Sequence, residues 1–344
     1  MVGIGVAIVG CGNVAGGHLA AWRKIPSARV LAVCDANRTV AEKAAREWAV
    51  PRNFTSTSEL MKLDEINLWD ICTPIQTHKD LANQAMSSGF DVLIEKPMTI
   101  TSKEAEEIVE CQKTTGRKAG VIHNWLFEPP VLKAKAIVNR GDIGEIIGAH
   151  MAILHTKDES MISNKNHWSH KLPGGRFSEM LIHPIYILRS FLGDIRTASV
   201  EVSKVGGYEW MKYDELSAIF KAGEKKLASV HVSFNAPRNS IYIDLLGRQG
   251  ILRLDVITAT LIFLPAAKME RFSKAADSFR QAGQLSVSTA KNALRILSGQ
   301  WRDGHEMCIR LFAESILKGG QPPVTVQEGY EVVKVLEDIC RRID

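Results

Sequence analysis

Glu95-Lys96-Pro97 and the trio Glu179, His183 and Tyr186 are the residues of this chain best suited to moving a proton. The trio is spaced at four and three residues. On a helix that spacing forms one stripe of titratable groups, set in a segment otherwise made of Met180, Leu181, Ile182, Ile185, Ile187 and Leu188. Polar groups on an apolar-looking stripe need partners or a purpose. Mutual satisfaction of Glu179 and His183 in a core is the bland alternative; a catalytic pair is the sharper one. A lysine at the mouth of a partly desolvated cleft has its pKa drawn towards neutrality, which fits Lys96 to hydrogen-bond a hydroxyl and help remove its proton. Pro184 adds a constraint, because inside a helix it removes a backbone hydrogen bond, so the helix is expected to begin just before it or to kink there.

A glycine motif indicates what accompanies that proton. Gly10-Cys11-Gly12-Asn13-Val14-Ala15 follows the strand pattern Val6–Gly10 and opens a helix. The first glycine permits a tight turn, the second lets backbone approach a pyrophosphate, and the small third residue allows close packing beneath a helix N-terminus that binds phosphate. Asp35 ends the next strand, where an acidic side chain takes ribose hydroxyls. Together these point to a dinucleotide. Asp35 repels a 2′-phosphate and favours NAD over NADP, whereas Arg38, three residues on, suits that phosphate.

These residues need a scaffold. Continuous apolar runs at Arg29–Cys34, Leu68–Cys72, Val92–Ile94 and Ala119–Ile122 alternate with helical patterns, which predicts a doubly wound parallel sheet over residues 1–123. Thr73-Pro74 and Glu95-Lys96-Pro97 then fall at strand ends bordering the same crevice as the glycines. After Trp125 successive strands joined by short turns predict an α+β domain with a largely antiparallel open sheet over 124–344. A chain of 344 residues is long for one domain, typically about 100–200 residues, so two are expected. The 45% apolar and 24% charged content is that of an ordinary globular protein. Six cysteines without a Cys-x-x-Cys pair suit a reducing, cytoplasmic setting. No apolar stretch approaches the roughly 18–20 residues of a membrane span, so no membrane partner is expected. The net charge of +5 is too small to suggest a nucleic-acid partner, and most of it, +4, lies in one helical segment, 265–303. That segment reads as a solvated helix face, or as a subunit contact or lid for an anionic substrate.

The chain resembles the glucose–fructose oxidoreductase, inositol dehydrogenase and MocA family along nearly its whole length. The resemblance rests on Gly10 to Ala15, Thr73-Pro74 with His78, Glu95-Lys96-Pro97, Val121 to Asn124, Gly174-Gly175, Pro322-Pro323 and Glu328-Gly329. It implies an NAD(P)-dependent oxidoreductase acting on a secondary alcohol of a sugar, sugar derivative or cyclitol. It also implies a homodimer or homotetramer built through the second sheet. Carried over, the catalytic group is Lys96, Glu179 and His183, with Glu179 standing where the family has aspartate. The expected cofactor shell is Gly10, Gly12, Asn13, Val14, Asp35, Arg38, Thr73, Pro74, His78, Glu95, Lys96 and Asn124.

His155, His167, Trp168 and Tyr186, with Lys96, are the expected substrate contacts. His167 and His170 lie three apart near Asp158 and Glu159 but lack a third well-spaced ligand, so no metal is expected. His305 is expected to cap the last long helix. An NAD-using glycoside hydrolase working by transient oxidation and a catalytically silent nucleotide sensor are the alternatives; retention of Lys96 and His183 speaks against the sensor.

Overall fold

Every residue of the run Ile4–Val9 is buried, as expected of a strand covered on both faces, and it forms β1 near the middle of a six-stranded sheet. The computed structural model describes residues 3–266 and 271–344. β2 (Ala28–Cys34), β3 (Arg52–Phe54), β4 (Leu68–Ile71), β5 (Asp91–Ile94) and β6 (Ala119–Val121) complete the sheet in the order β3-β2-β1-β4-β5-β6, all parallel. Strand order reverses between β1 and β4, which puts the loops after these two strands at the switch point where such sheets bind ligands. The connecting helices are α1 (Ala15–Arg23), α2 (Arg38–Glu47), α3 (Thr57–Leu60), α4 (His78–Ser87) and α5 (Ser102–Thr115). Their ends are written locally: Asn37 caps α2, and Thr101 with Glu104 forms a capping box on α5, which Gly116 ends at φ 65°. The short β3 was not legible in advance.

The second sheet has seven strands. Helix α6 (Pro129–Asn139) precedes β7 (Ile146–Leu154); α7 (Ser160–Ser163) and α8 (Arg176–Leu192) follow it. Then come β8 (Ile195–Ser203), β9 (Glu215–Ala222), β10 (Lys226–Ser233), β11 (Ser240–Gly247), β12 (Gly250–Asp255) and β13 (Thr260–Pro265). The order is β13-β12-β11-β7-β10-β9-β8, antiparallel except for the central parallel pair β7 and β10. In β9, Leu216, Ala218, Phe220 and Ala222 are buried while Ser217, Ile219 and Lys221 are exposed, so one face is packed and the other open. Helix α8 lies against β7, β8 and β10. It runs unbroken through Pro184, where the Met180 carbonyl loses its usual helical donor.

Helix α9 (Arg271–Leu297) falls within the basic segment; Lys268 and Glu270 lie outside the described residues. Helices α10 (Gly304–Lys318) and α11 (Val326–Ile343) end the chain. No helix among the described residues is long and apolar enough to cross a membrane. The chain divides into two compact units, Met1–Asn124 with Gly304–Glu337, and Trp125–Asp303 with Asp338–Asp344. One boundary was expected after residue 123, with the last helix packing back on the first domain; the whole of segment 304–337, α10 included, groups with the parallel sheet.

Candidate functional site

In the first unit the glycine motif makes the turn from β1 into α1. Gly10 has φ 92°, and a Cβ there would lie 2.7 Å from Cys72 C and Thr73 N, so only glycine fits. Gly12 differs: a Cβ would meet nothing within 4 Å, and the space above it is open. No side chain caps α1; Ala15 N and Gly17 N donate to Gly12 O and Val14 O at 3.2 and 3.0 Å, and the positive end of the helix dipole faces the open glycine turn. Asp35 accepts from Cys11 N at 2.9 Å and from Asn37 N at 2.8 Å, tying the end of β2 to the glycine turn. Arg38 is exposed at the start of α2. The open glycine, the uncapped helix and the acid at the strand end fit an NAD pyrophosphate and ribose. Asn13 is exposed in the same turn, and Val14 is the N-cap residue of α1.

The loops after β4 and β5 are pinned to each other. His78 is buried, with Nε2 2.8 Å from Thr73 O and Nδ1 3.0 Å from Pro97 O. Burial pushes its pKa down. The imidazole expected at the cofactor thus serves as a clamp between two loops. Pro74 is exposed beside it, and Lys96 is half-buried with its peptide bond to Pro97 cis.

Glu95 is likewise directed inward rather than to the cofactor. Its Oε1 is 2.9 Å from His18 Nε2, its Oε2 accepts from Lys96 N at 3.0 Å, and His305 Nε2 is 3.5 Å from Oε1. His18 Nδ1 is 2.8 Å from Asp70 Oδ2, which also accepts from Trp22 Nε1 at 2.7 Å. Burial opposes charge on His18, but Asp70 and neighbouring groups outweigh it and hold the imidazole well above its usual range. Burial likewise raises Glu95, and hydrogen bonds from His18 and His305 overcome it, holding the carboxyl well below its usual range. Lys96 therefore follows a carboxylate fixed by a buried ion pair. His305, expected to cap the last helix, instead joins this cluster from the first turn of α10 and meets Asn124 Nδ2 at 3.3 Å through Nδ1. His18, Glu95 and His305 converge closely enough to hold a cation, as do His18, Asp70 and Cys72. His18 already uses both ring nitrogens on carboxylates, so an entering metal must displace one of those bonds.

In the second unit α8 places Glu179, His183 and Tyr186 in one buried stripe, as the spacing predicts. His183 Nδ1 lies 2.6 Å from Tyr186 Oη, and its ring stacks on Trp125 at 3.9 Å and 15°. Tyr186 Oη in turn accepts from Trp125 N at 3.1 Å. Tyr186, expected to touch substrate, is only 2% exposed and instead fixes the imidazole. Glu179 accepts from the guanidinium of Arg176, which is fully buried one turn earlier. Sequence reasoning passed over Arg176 and Trp125; an arginine within a buried apolar helix was the available signal, since such a charge requires a partner.

The remaining candidates separate. His155, at the end of β7, has neither ring nitrogen hydrogen-bonded, and burial lowers its pKa. An imidazole with that unmet capacity suits a ligand contact. His167 instead caps its own turn, with Nδ1 2.8 Å from Ser169 Oγ, while Trp168 beside it is exposed.

The profile of an oxidoreductase family with an NAD-binding Rossmann fold matches residues 4–123, and that of the GFO/IDH/MocA C-terminal domain matches 131–253. Oxidoreductase P35 of Formosa agariphila is 27% identical over 261 residues, covering 74% of this chain and 80% of its own. Inositol 2-dehydrogenase of Rhizobium meliloti is 27% identical over 235 residues, or 67% of this chain and 68% of its own. Among solved structures, the WlbA dehydrogenase from Bordetella pertussis, in complex with NADH and UDP-GlcNAcA, shares the fold. Its TM-score is 0.80 over 99% of this chain and 95% of that one, at 18% identity. With the glycine turn, the Glu-Lys-Pro strand end and both halves of the chain matched, this protein belongs to the GFO/IDH/MocA family of NAD-binding oxidoreductases.

Proposed function

We propose that this enzyme is a dehydrogenase that oxidises or forms a secondary alcohol of a sugar, sugar derivative or cyclitol, with Lys96 and His183 handling the hydroxyl proton. The observation that carries the reading is the fixed imidazole of His183, held by Tyr186 and stacked on Trp125. A proton acceptor works best when its ring is already oriented. When bound, the nicotinamide supplies the hydride acceptor at C4. Lys96 stabilises the developing alkoxide, and its backbone is held by Glu95. Glu179, one helical turn before His183 on the same face of α8, is held in place by Arg176. Asn124 and the loops carrying Thr73 and Lys96 are assigned to the cofactor, and His155 to substrate. Asp35 favours NAD over NADP, with Arg38 the competing influence. Inositol 2-dehydrogenase among the relatives supports the polyol class. Six cysteines, none in a disulfide, favour a reducing, cytoplasmic compartment, and the open sheet face with Ile219 and Leu227 exposed favours a homo-oligomer.

The test follows absorbance at 340 nm against a panel of cyclitols, aldoses and nucleotide sugars, for the parent, Lys96→Ala and His183→Ala. NADH formation by the parent, with turnover lost about 100-fold or more in both variants and NAD affinity retained, is the expected result. Undiminished turnover removes these roles, and aryl-glycoside cleavage without net NADH identifies a hydrolase instead.

A further inference from the structure

Two side chains anchor helix α9 to the second sheet. The Gln284 amide accepts from Phe263 N at 2.9 Å and donates to Phe263 O at 2.9 Å, and Asn292 Nδ2 donates to Ala259 O at 2.9 Å. Strand β13 is an edge strand, so these amides satisfy backbone groups that an edge leaves open. The anchors fix which face of α9 meets the sheet, and on that face Gln284, Ser288, Lys291 and Arg295 follow at spacings of four, three and four. A cavity of about 260 Å³ lies between this face, α6 and the start of β13, and Lys133 lines it from α6.

The amides are used on β13, but Lys133, Ser288, Lys291 and Arg295 make no hydrogen bond or ion pair among the described residues, and no acid lines the cavity. Two ammoniums, a guanidinium and a hydroxyl can all donate, so what the cavity lacks is an acceptor. Burial and then the charges of Lys291 and Arg295 draw the Lys133 pKa down, which puts the three cations within electrostatic reach of one another. Helix electrostatics explain only part of this. Arg295, in the last turn of α9, suits the negative end of its dipole, whereas Lys133, in the second turn of α6, gains nothing from the positive end of its own. Lys291 and Arg295 repel each other at i and i+4, and the one acid in Arg271–Leu297, Asp277, is bonded to Arg280. Three converging cations repel one another until an anion joins them.

We propose that this cavity binds a phosphate group, free or as the monoester of a small molecule, with Lys133, Lys291 and Arg295 on its oxygens and Ser288 donating a further hydrogen bond. A phosphate brings close to two negative charges and three strong acceptor oxygens, which matches the unmet donors. A carboxylate brings one charge and two oxygens and leaves part of the set unanswered. The volume lies below the roughly 300–1,000 Å³ of sites for drug-sized ligands, so the occupant is smaller than a nucleotide sugar. Leu261 and Val287, which also line the cavity, give the carbon body of an ester an apolar wall. None of these residues belongs to the glycine turn or to Lys96, Glu179 and His183, so the site stands beside the proposed dehydrogenation and takes no part in it.

The experiment is calorimetry on the full chain in a phosphate-free buffer of low ionic strength, with NAD at saturation so that the glycine turn is already filled. The titrants are inorganic phosphate, phenyl phosphate, phenol and acetate; none carries a secondary alcohol, so none is a substrate of the proposed reaction. Binding of both phosphates, weakening as salt is raised, with none of phenol or acetate at the same concentration, is expected. Tighter binding of phenyl phosphate assigns the site to an ester and equal binding to the free ion. Each of Lys133→Ala, Lys291→Ala and Arg295→Ala weakens binding about fivefold, while NAD affinity is kept and the unfolding temperature does not fall. Lys291→Glu supplies the missing negative charge from the chain itself, so it abolishes phosphate binding and raises the unfolding temperature. A parent that binds neither phosphate overturns the proposal, as does binding that none of the four variants alters. Self-association of the parent, by light scattering, that is lost in Lys291→Glu assigns the cations to acids of a second copy and equally overturns it.

Discussion

His18 sits between Asp70 and Glu95 at 2.8 and 2.9 Å, with all three out of solvent, so its charge decides the state of both carboxylates. A histidine raised above its ordinary pKa stabilises the fold in full below the unfolded value near 6.5, and the contribution is lost as pH climbs through the folded value. Glu95, lowered from 4.5, stabilises above that value and loses the contribution as pH falls. The pair therefore contributes most between about pH 4.5 and 6.5. His18→Gln leaves buried carboxylates without their cation, at a cost of about 3–5 kcal/mol. The gap in unfolding temperature from the parent is greatest in that window and narrows on both sides; a gap constant with pH contradicts the ion pair. Gly10 and Gly12 make a second contrast. Gly12→Ala meets open space, so stability stays within about 0.5 kcal/mol while NAD affinity falls at least tenfold. Gly10→Ala forces a Cβ against Cys72 and costs about 2 kcal/mol or more before any ligand is added. Equal stability loss in both variants, by thermal unfolding, removes the distinction. The glycines were readable because their role is local, whereas Glu95 was assigned to the cofactor because nothing in a linear motif reveals that His18, 77 residues away, will take its carboxylate.

Helix α8 shows what spacing conveys and where it stops. Four-and-three spacing identified one stripe, and the structure has Glu179, His183 and Tyr186 on it, but periodicity carries no partner: Trp125, outside the helix, supplies both the stacking surface and the N–H that Tyr186 accepts. Pro184 was expected to start or kink the helix, and the surrounding packing carries the helix through it. Tyr186→Phe removes the hydroxyl from His183 Nδ1 and leaves the Trp125 N–H without that acceptor, costing about 1–3 kcal/mol. Because His183 loses its orientation but not its ring, kcat falls about tenfold, a fraction of what a general base supplies, with KM and NAD affinity held. The pH dependence of kcat shifts with it. A fall in stability alone, with kcat and its pH profile unmoved, makes Tyr186 purely a packing residue.

For the molecule as a whole, the decisive feature is that the NAD-binding unit is assembled from two distant stretches. Residues 304–337 return to the parallel sheet after the second sheet is complete; the packing-back of the last helix was anticipated, but that α10 returns with it no local pattern announces. Val121 N donates to Val324 O at 3.1 Å, Gly120 bridges Thr325, and the Phe312 ring lies so close to Gly120 that a Cβ there would stand 2.7 Å from it. Lys24 pairs with Glu306 at 2.7 Å, and His305 meets Glu95 beside the Glu-Lys-Pro turn. Cys308, Ile309, Phe312, Val324 and Val333 are all buried in this arrangement. A fragment of residues 1–124 exposes the surface they cover and loses several large side chains of apolar burial, each worth about 1.5–3 kcal/mol. Such a fragment is expected to bind hydrophobic dyes and to lack a cooperative thermal transition. Joining residues 1–124 to 304–337 through a flexible linker restores the transition and NAD binding without the second sheet, since the glycine turn, Asp35 and the Glu95 cluster are then all present. Cooperative unfolding and NAD binding by 1–124 alone would show instead that the returning segment is dispensable to the unit it completes.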